Sequence, residues 1–108
     1  MGKSVLSFRL ERKAIELIES KNRNRSSVIR EAINYALNGG ISKADILEVA
    51  MSIPIDGKRR VSLRLDEETL VKLKRIAEEY DLQVSELVRI AIWKLLLEKG
   101  AVSSPRPQ

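Results

Sequence analysis

Arginine and serine side chains recur at the same spacing in two short segments of the chain. Ser7 and Arg9 stand two positions apart, and Ser62 and Arg64 repeat the pattern 55 positions later. An arginine guanidinium can donate two hydrogen bonds to guanine, and a serine hydroxyl can donate or accept at several base edges. The alternative interpretation is that charged residues only protect an exposed strand from edge-to-edge pairing. Because both segments place the same residue types at the same offsets, we favour contact with nucleic acid.

The chain contains no histidine and no cysteine, which narrows its chemistry further. This excludes disulfides, thiolate nucleophiles, imidazole bases and nearly every zinc site. Catalysis would then need paired carboxylates in a cleft, and the acidic pairs at 67–68 and 78–79 fall at the predicted solvated ends of helices. We therefore predict no enzymatic activity, no metal, no cofactor and no small-molecule ligand.

Basic side chains are concentrated towards the two ends of the chain. The 108 residues carry 20 Lys and Arg against 15 Asp and Glu, a formal net charge of +5. Residues 1–38 hold 8 basic and 4 acidic side chains and residues 58–108 hold 11 and 8, whereas residues 39–57 hold 1 and 3. A basic surface attracts polyanions such as nucleic acid, although a solvated, salt-bridged surface has a similar composition.

The hydrophobic pattern of each basic segment predicts a strand. Leu6, Phe8 and Leu10 occupy alternate positions in the first segment, and Val61, Leu63 and Leu65 do so in the second. Alternation over about seven residues is typical of a strand with one buried face. The arginines and serines described above fall on the opposite, outward face.

Two helical patterns follow each predicted strand. Residues 26–33 are echoed by residues 85–92 at an offset of 59 rather than 55, so the second copy is longer by about one helical turn. Glycines at 39–40 and 100 are expected to stop the second helix of each copy. The predicted helices cover about 11–21 and 25–38 in the first copy and about 66–80, with Asp66 as N-cap, and 84–99 in the second.

A lone strand cannot satisfy its backbone hydrogen bonds, so the two predicted strands need each other. We predict a mainly α fold with a two-stranded antiparallel β-ribbon, in which two strand-helix-helix units share one core. The units span 1–40 and 58–100, joined by a connector over 41–57 with a short helix and followed by a flexible tail over 101–108. Pairing of the strands within one chain is favoured; pairing between chains is the alternative.

The connector has a start signal for its helix and an apolar stripe. Ser42 and Asp45, three residues apart, are typical of a capped amino terminus. The stripe is expected to cover an edge of the core, with contact to another chain as the alternative; it consists of Ile46, Leu47, Ala50 and Met51.

Three polar or aromatic residues in the longer helices need separate interpretation. Arg30 and Arg89 lie among apolar neighbours, so we expect structural ion pairs rather than DNA contacts. Trp93 is expected in the core or in an interface rather than stacked on a base.

Each unit resembles the ribbon-helix-helix unit of the MetJ/Arc superfamily of DNA-binding regulators. The resemblance lies in residues 5–10 and 60–65 and in the Ser-x-(Val/Leu)-(Ile/Val)-Arg-x-Ala segments at 26–32 and 85–91. The two units together span about four-fifths of the chain. Most members of that superfamily carry one unit per chain and dimerise, and a tandem arrangement resembles regulators of archaeal viruses.

The resemblance implies roles for matching positions. Outward strand residues would read bases in the major groove, and backbone amides at the start of each second helix would hold phosphates, where the helix dipole favours anions. The base-reading set is Val5, Ser7, Arg9, Arg60, Ser62 and Arg64, and the phosphate-binding set is Lys3, Asn24, Arg25, Ser26, Ser27, Gln83 and Ser85. Val5 stands where a polar residue is usual, so this strand is expected to read fewer bases or to meet a thymine methyl.

These observations predict a sequence-specific transcriptional regulator of double-stranded DNA, either a repressor or a factor with both repressing and activating sites. Its operator should be an imperfect palindrome, and self-association on DNA is expected. The alternative is an antitoxin-type module that binds a protein partner as well as DNA. No signal peptide and no membrane-spanning segment are predicted, so we expect a cytoplasmic protein, in the host cytoplasm if it is viral.

Overall fold

The computed structural model of the protein describes residues 2–21 and 24–98. This part of the chain is mainly helical and contains a two-stranded antiparallel sheet, as the hydrophobic patterns predicted. In chain order the elements are β1 (Lys3–Glu11), α1 (Arg12–Ser20), α2 (Arg25–Leu37), α3 (Lys43–Ser52), β2 (Lys58–Asp66), α4 (Glu67–Glu79) and α5 (Val84–Glu98). The predicted tail at 101–108, the stop at Gly100 and the first two residues of the break at 22–24 lie outside the described residues.

Strands β1 and β2 of the same chain pair with a register centred on two serines. Ser7 lies opposite Ser62, with Leu6 opposite Leu63 on one side and Phe8 opposite Val61 on the other. The apolar positions of both strands are buried, and the outward positions between them are exposed. This burial is the physical reason for the register, because a slip of one residue would turn the whole apolar set towards water.

The buried face of the ribbon packs on the helices in one hydrophobic core. Helix α5 contributes more of the largest buried side chains than any other helix, and it contacts β1, α1, α2, α3 and α4. Its apolar residues surround the helix axis, as expected of an element that is covered on more than one side. Trp93 is 1% exposed, which confirms its predicted place in the core.

Local hydrogen bonds mark the starts of the helices. Ser42 and Asp45 form the predicted capping box at the start of α3, with side-chain to backbone distances of 3.2 and 2.9 Å. Asp66 occupies the predicted N-cap of α4, but its side chain accepts no capping hydrogen bond. The start of α1 is capped by the connector, because the Lys13 amide donates to the Asp56 carboxylate at 2.8 Å. This cap ties the segment before β2 to the end of β1.

The connector helix α3 faces the core with only part of the predicted stripe. Val49 is buried, and Ile46 is the only stripe residue that packs against the core. Leu47 is 69% exposed and Met51 86% exposed, so the expectation that the whole stripe covers the core was wrong. Ile46 and Val49 face the core instead, and one ion pair between Asp45 and Lys94 at 3.1 Å joins α3 to α5. None of the helices in the described part of the chain has the length and apolar character needed to cross a membrane.

Candidate nucleic-acid interface

The outward face of the β-ribbon brings together all six residues predicted to read bases. They alternate with the buried residues along both strands, so their side chains share one exposed surface. Val5 is 61% exposed, so its methyl groups are available for contact. The complete face consists of Lys3, Val5, Ser7 and Arg9 from β1 and Lys58, Arg60, Ser62 and Arg64 from β2.

The register decides which of these side chains are neighbours. At the centre, the Ser7 and Ser62 hydroxyl oxygens lie 3.0 Å apart and share a hydrogen bond. Arg9 lies opposite Arg60, so two guanidinium groups project side by side. Like charges directly opposite each other in a sheet are destabilising. Such a pair is expected where an anionic partner supplies the missing negative charge.

The other end of the face has a different composition. Val5 lies opposite Arg64, and Lys3 lies opposite Asp66. The Lys3 ammonium and the Asp66 carboxylate form an exposed ion pair at 3.5 Å. This end therefore carries one apolar side chain, a lysine whose charge is partly neutralised, and the guanidinium of Arg64, which forms no ion pair with any described residue.

A groove of about 300 Å³ connects the ribbon face with the start of α5. Two predicted base-reading residues and one predicted phosphate-binding residue, Ser85, share its walls. The lining residues are Ser7, Phe8, Arg9 and Lys58 from the ribbon and Ser85, Glu86 and Arg89 from α5. The groove is open and bears the cationic side chains Arg9, Lys58 and Arg89, with the carboxylate of Glu86 in the same wall.

The start of α2 carries most of the residues predicted to hold a phosphate. The Asn24 side chain accepts hydrogen bonds from the amides of Ser26 at 2.8 Å and Ser27 at 3.3 Å. Arg25 forms an exposed ion pair with Glu19 at 3.7 Å. The amides are thus capped within the chain, and a phosphate at this position would have to replace the Asn24 oxygen.

The start of α5 is capped by a charged group instead. The Gln83 amide donates to the Glu86 carboxylate at 3.0 Å, which places a negative charge in the first turn. That carboxylate satisfies the helix dipole internally and would repel an approaching phosphate. The two helix starts therefore differ in their capacity for anions: the cap of α2 is a neutral amide oxygen, and that of α5 is a carboxylate.

Glu11, at the end of β1, forms a buried charged cluster that the sequence did not reveal. Its carboxylate accepts three hydrogen bonds from Arg89, the shortest at 2.7 Å, and one from the Trp93 indole at 2.9 Å. Glu11 is only 1% exposed. Burial alone raises the pKa of Glu11, but the hydrogen bonds from Arg89 and Trp93 outweigh it, and the pKa lies below its ordinary value.

Structural ion pairs were predicted for both helical arginines, and only one of the two arginines forms such a pair within the described part of the chain. For Arg89 the prediction is confirmed, because the guanidinium pairs with Glu11. For Arg30 it was wrong: the side chain is exposed and forms no ion pair with any described residue. The one available signal for Glu11 was its position, since it precedes Asp66 by the same 55 residues that relate the strands.

Among the described residues, no group of acidic side chains is arranged to hold a metal ion. Comparison of the chain with protein-family models, with curated proteins and with solved structures found no match. The chemistry of the interface therefore has to be inferred from its own side chains.

Proposed function

We propose that the protein is a sequence-specific, double-stranded DNA-binding transcriptional regulator whose β1–β2 ribbon lies in the major groove. The observation that carries this proposal is the outward ribbon face, where exposed arginines flank a hydrogen-bonded pair of serines. A two-stranded ribbon is one of the two elements that the major groove of B-DNA admits. Arginine and serine are among the side chains that read base edges there.

The arrangement of the helices supports the same orientation on DNA. The groove beside the ribbon is lined by Arg9 and Lys58, so a DNA backbone lying along the ribbon would pass these cationic side chains, although Glu86 disfavours a phosphate at the start of α5 itself. On the α2 side, the Asn24 cap is neutral and could be exchanged for a phosphate oxygen. Phosphate contacts position a protein on the duplex, whereas base contacts supply specificity.

The proposal includes the class suggested by the resemblance, two ribbon-helix-helix units in tandem sharing one core. The order strand, helix, helix occurs twice in the chain, and the two strands pair with each other. One chain would then do what two chains do in a dimer of single units. The Asp56 cap on α1 supports pairing within one chain, because it links the connector to the first strand-helix junction.

A protein-binding function of the antitoxin type has one observation in its favour. Three large apolar side chains of the connector are exposed, Leu47, Met51 and Ile55. Exposed apolar side chains that form a contiguous patch are typical of a contact with another protein. Co-purification of a small partner at fixed stoichiometry, lost on Met51→Lys, would support this second function.

Binding to the DNA upstream of the protein's own gene tests the proposed function. A gel-shift assay with excess competitor DNA should give a discrete complex, and the slope of log affinity against log salt should be about −0.9 per phosphate neutralised. Arg9→Ala should weaken the specific complex by about 1–3 kcal/mol. The matched control is Arg75→Ala, which removes the same charge from an exposed position on α4.

The control separates base reading from general electrostatics. Arg75→Ala should leave the ratio of specific to nonspecific affinity unchanged, while Arg9→Ala should reduce it. Equal effects of the two variants on that ratio, or a wild-type complex that competitor DNA abolishes, would contradict the proposal.

A further inference from the structure

We propose that the ribbon binds an operator with two chemically unequal halves, and in one orientation only. In this proposal, which rests on the proposed function, Arg9 and Arg60 read guanines in one half. Arg64 reads a guanine in the other half, where the methyl groups of Val5 contact a thymine methyl. The serine pair marks the boundary between the halves.

Apart from the two serines, residues that correspond in the repeat are not the residues that lie side by side in the ribbon. The 55-residue offset makes Val5 the counterpart of Arg60 and Arg9 the counterpart of Arg64. The register, however, places Arg9 beside Arg60 and Val5 beside Arg64, on opposite sides of the serine pair. A single non-equivalent position, valine instead of arginine, is therefore enough to break the symmetry of the reading face.

The carboxylates at the two strand ends increase this difference. Glu11 lies opposite Lys58 in the register, but it is buried and bonded to Arg89, so it is withdrawn from the face. Lys58 forms no ion pair with any described residue. At the other end Asp66 remains exposed and pairs with Lys3. One end of the face thus presents three cationic side chains, while the other presents one unpaired guanidinium.

The chemistry of the side chains defines the bases that each end prefers. The commonest specific contact of arginine is a bidentate pair with O6 and N7 of guanine, and neighbouring arginines favour guanines at neighbouring base pairs. Directly opposite residues on two strands have their Cβ atoms about 4.5–5.5 Å apart, so Arg9 and Arg60 reach adjacent base pairs. Valine can offer only an apolar contact, and the thymine methyl is the apolar group of the major groove.

Two variants would make the reading face symmetric from opposite directions. Val5→Arg gives both strands the outward sequence Arg, Ser, Arg, and Arg60→Val gives both Val, Ser, Arg. The experiment selects binding sites from a random duplex library with the wild-type chain and with each variant. We expect an asymmetric site for the wild type and palindromic sites for both variants, with more guanine for Val5→Arg than for Arg60→Val.

Single base changes in the wild-type DNA site measure how much each contact contributes to the binding affinity. Replacing the guanine read by Arg60 should weaken wild-type binding about 5- to 150-fold, and should have little effect on the Arg60→Val chain. Replacing the thymine at Val5 with deoxyuridine removes one methyl group and should weaken wild-type binding about fourfold. The Val5→Ser chain should not distinguish the two bases, and it serves as a second variant should Val5→Arg fail to fold.

The possible results distinguish the unequal reading of the operator from the DNA-binding function on which it rests. A wild-type site with equal halves, or an asymmetric site that persists in both Val5→Arg and Arg60→Val, overturns the unequal reading and leaves the proposed function in place. If the wild-type chain enriches no sequence at all, the proposed function fails first. Circular dichroism of each variant establishes that the fold is retained.

Discussion

The two strands end in acidic residues at related positions, yet the surroundings of these residues differ completely. Glu11 at the end of β1 is buried against Arg89 and Trp93. Asp66 at the end of β2 has a side chain that is 64% exposed, and it pairs only loosely with Lys3. By the offset of 59, the counterparts of Arg89 and Trp93 in α2 are Arg30 and Asn34.

The size of one side chain accounts for much of this difference. The indole of Trp93 fills the space beside the strand end and donates to Glu11. At the related place in the other half, a cavity of about 130 Å³ is lined by Arg30, Asn34 and Asp66, among others. An asparagine is too small to close this space, so water keeps access to the charges. Both halves therefore carry an acidic strand end and a helical arginine, but these form a buried ion pair only where a large neighbouring side chain excludes water.

The largest loss of stability is expected from Glu11→Ala, and it tests the difference between the two strand ends. The change leaves the Arg89 guanidinium and the Trp93 indole without their acceptor, and removal of one partner from a buried ion pair typically costs about 3–5 kcal/mol. The matched variant Asp66→Ala removes an exposed pair and should change the free energy of unfolding by about 1 kcal/mol or less. Urea unfolding followed by circular dichroism measures both, and similar losses for the two variants would refute the asymmetry.

A smaller loss is expected from Trp93→Phe. This variant keeps an aromatic ring but removes the indole N–H that donates to the Glu11 carboxylate. A hydrogen bond to a charged group contributes about 1.5–3 kcal/mol. Asn34→Ala, at the counterpart position, is the control and should have little effect because the side chain is exposed. A Trp93→Phe chain as stable as the wild type would show that neither the indole N–H nor the extra volume of the indole stabilises the Glu11 cluster.

The pH dependence of stability sharpens the assignment of Glu11. Its folded-state pKa is lowered from the ordinary value of 4.5, so its contribution is present above that value and is lost as the pH falls through the folded-state pKa. Asp45 also has a lowered pKa, because of its capping bond with Ser42 and its pairing with Lys94, and behaves in the same sense. Unfolding below pH 5 should therefore be less steep with pH for Glu11→Gln than for the wild type. Parallel curves for the two proteins would argue against a buried, ionised Glu11.

The smallest effect is expected from Arg30→Ala. Arg30 is exposed and lies at the edge of the open cavity, so its removal should change the free energy of unfolding by less than about 0.5 kcal/mol. Arg89→Ala, its counterpart, should cost several times more because it leaves the Glu11 carboxylate buried with only the indole. Thermal and urea unfolding compare the two, and a large loss for Arg30→Ala would reveal an unexpected structural role.

Sequence reasoning predicted the elements of the fold well, because their signals are local. Alternation predicted both strands, and the pair Ser42 and Asp45 predicted the start of α3. It failed for the connector stripe, because Leu47 and Met51 look as apolar in the sequence as the residues that pack. Which side of a short apolar helix faces the core depends on contacts with distant elements, here the pairing of Asp45 with Lys94 on α5.

In the candidate interface, too, local sequence predicted some features and tertiary contacts decided the others. Sequence alone was sufficient to group the outward residues, since alternate residues of a strand share a face. It did not predict that the amides of Ser26 and Gln83, which we propose as phosphate contacts, are already capped by Asn24 and Glu86, because several side chains near each helix start could accept those bonds. The tertiary structure also withdrew Glu11 from the surface, which no local pattern indicated.

By itself, the sequence determined the order of strands and helices, the basic character of both halves and the set of residues that the ribbon presents. These properties depend on residue type and on periods of two or about 3.6 residues, which any short stretch of chain already contains. Only the tertiary structure decided that Arg9 stands beside Arg60 and that Glu11 is buried while Asp66 is exposed. Register and burial result from the packing of side chains far apart in the chain, so the position of each charge is a property of the whole core.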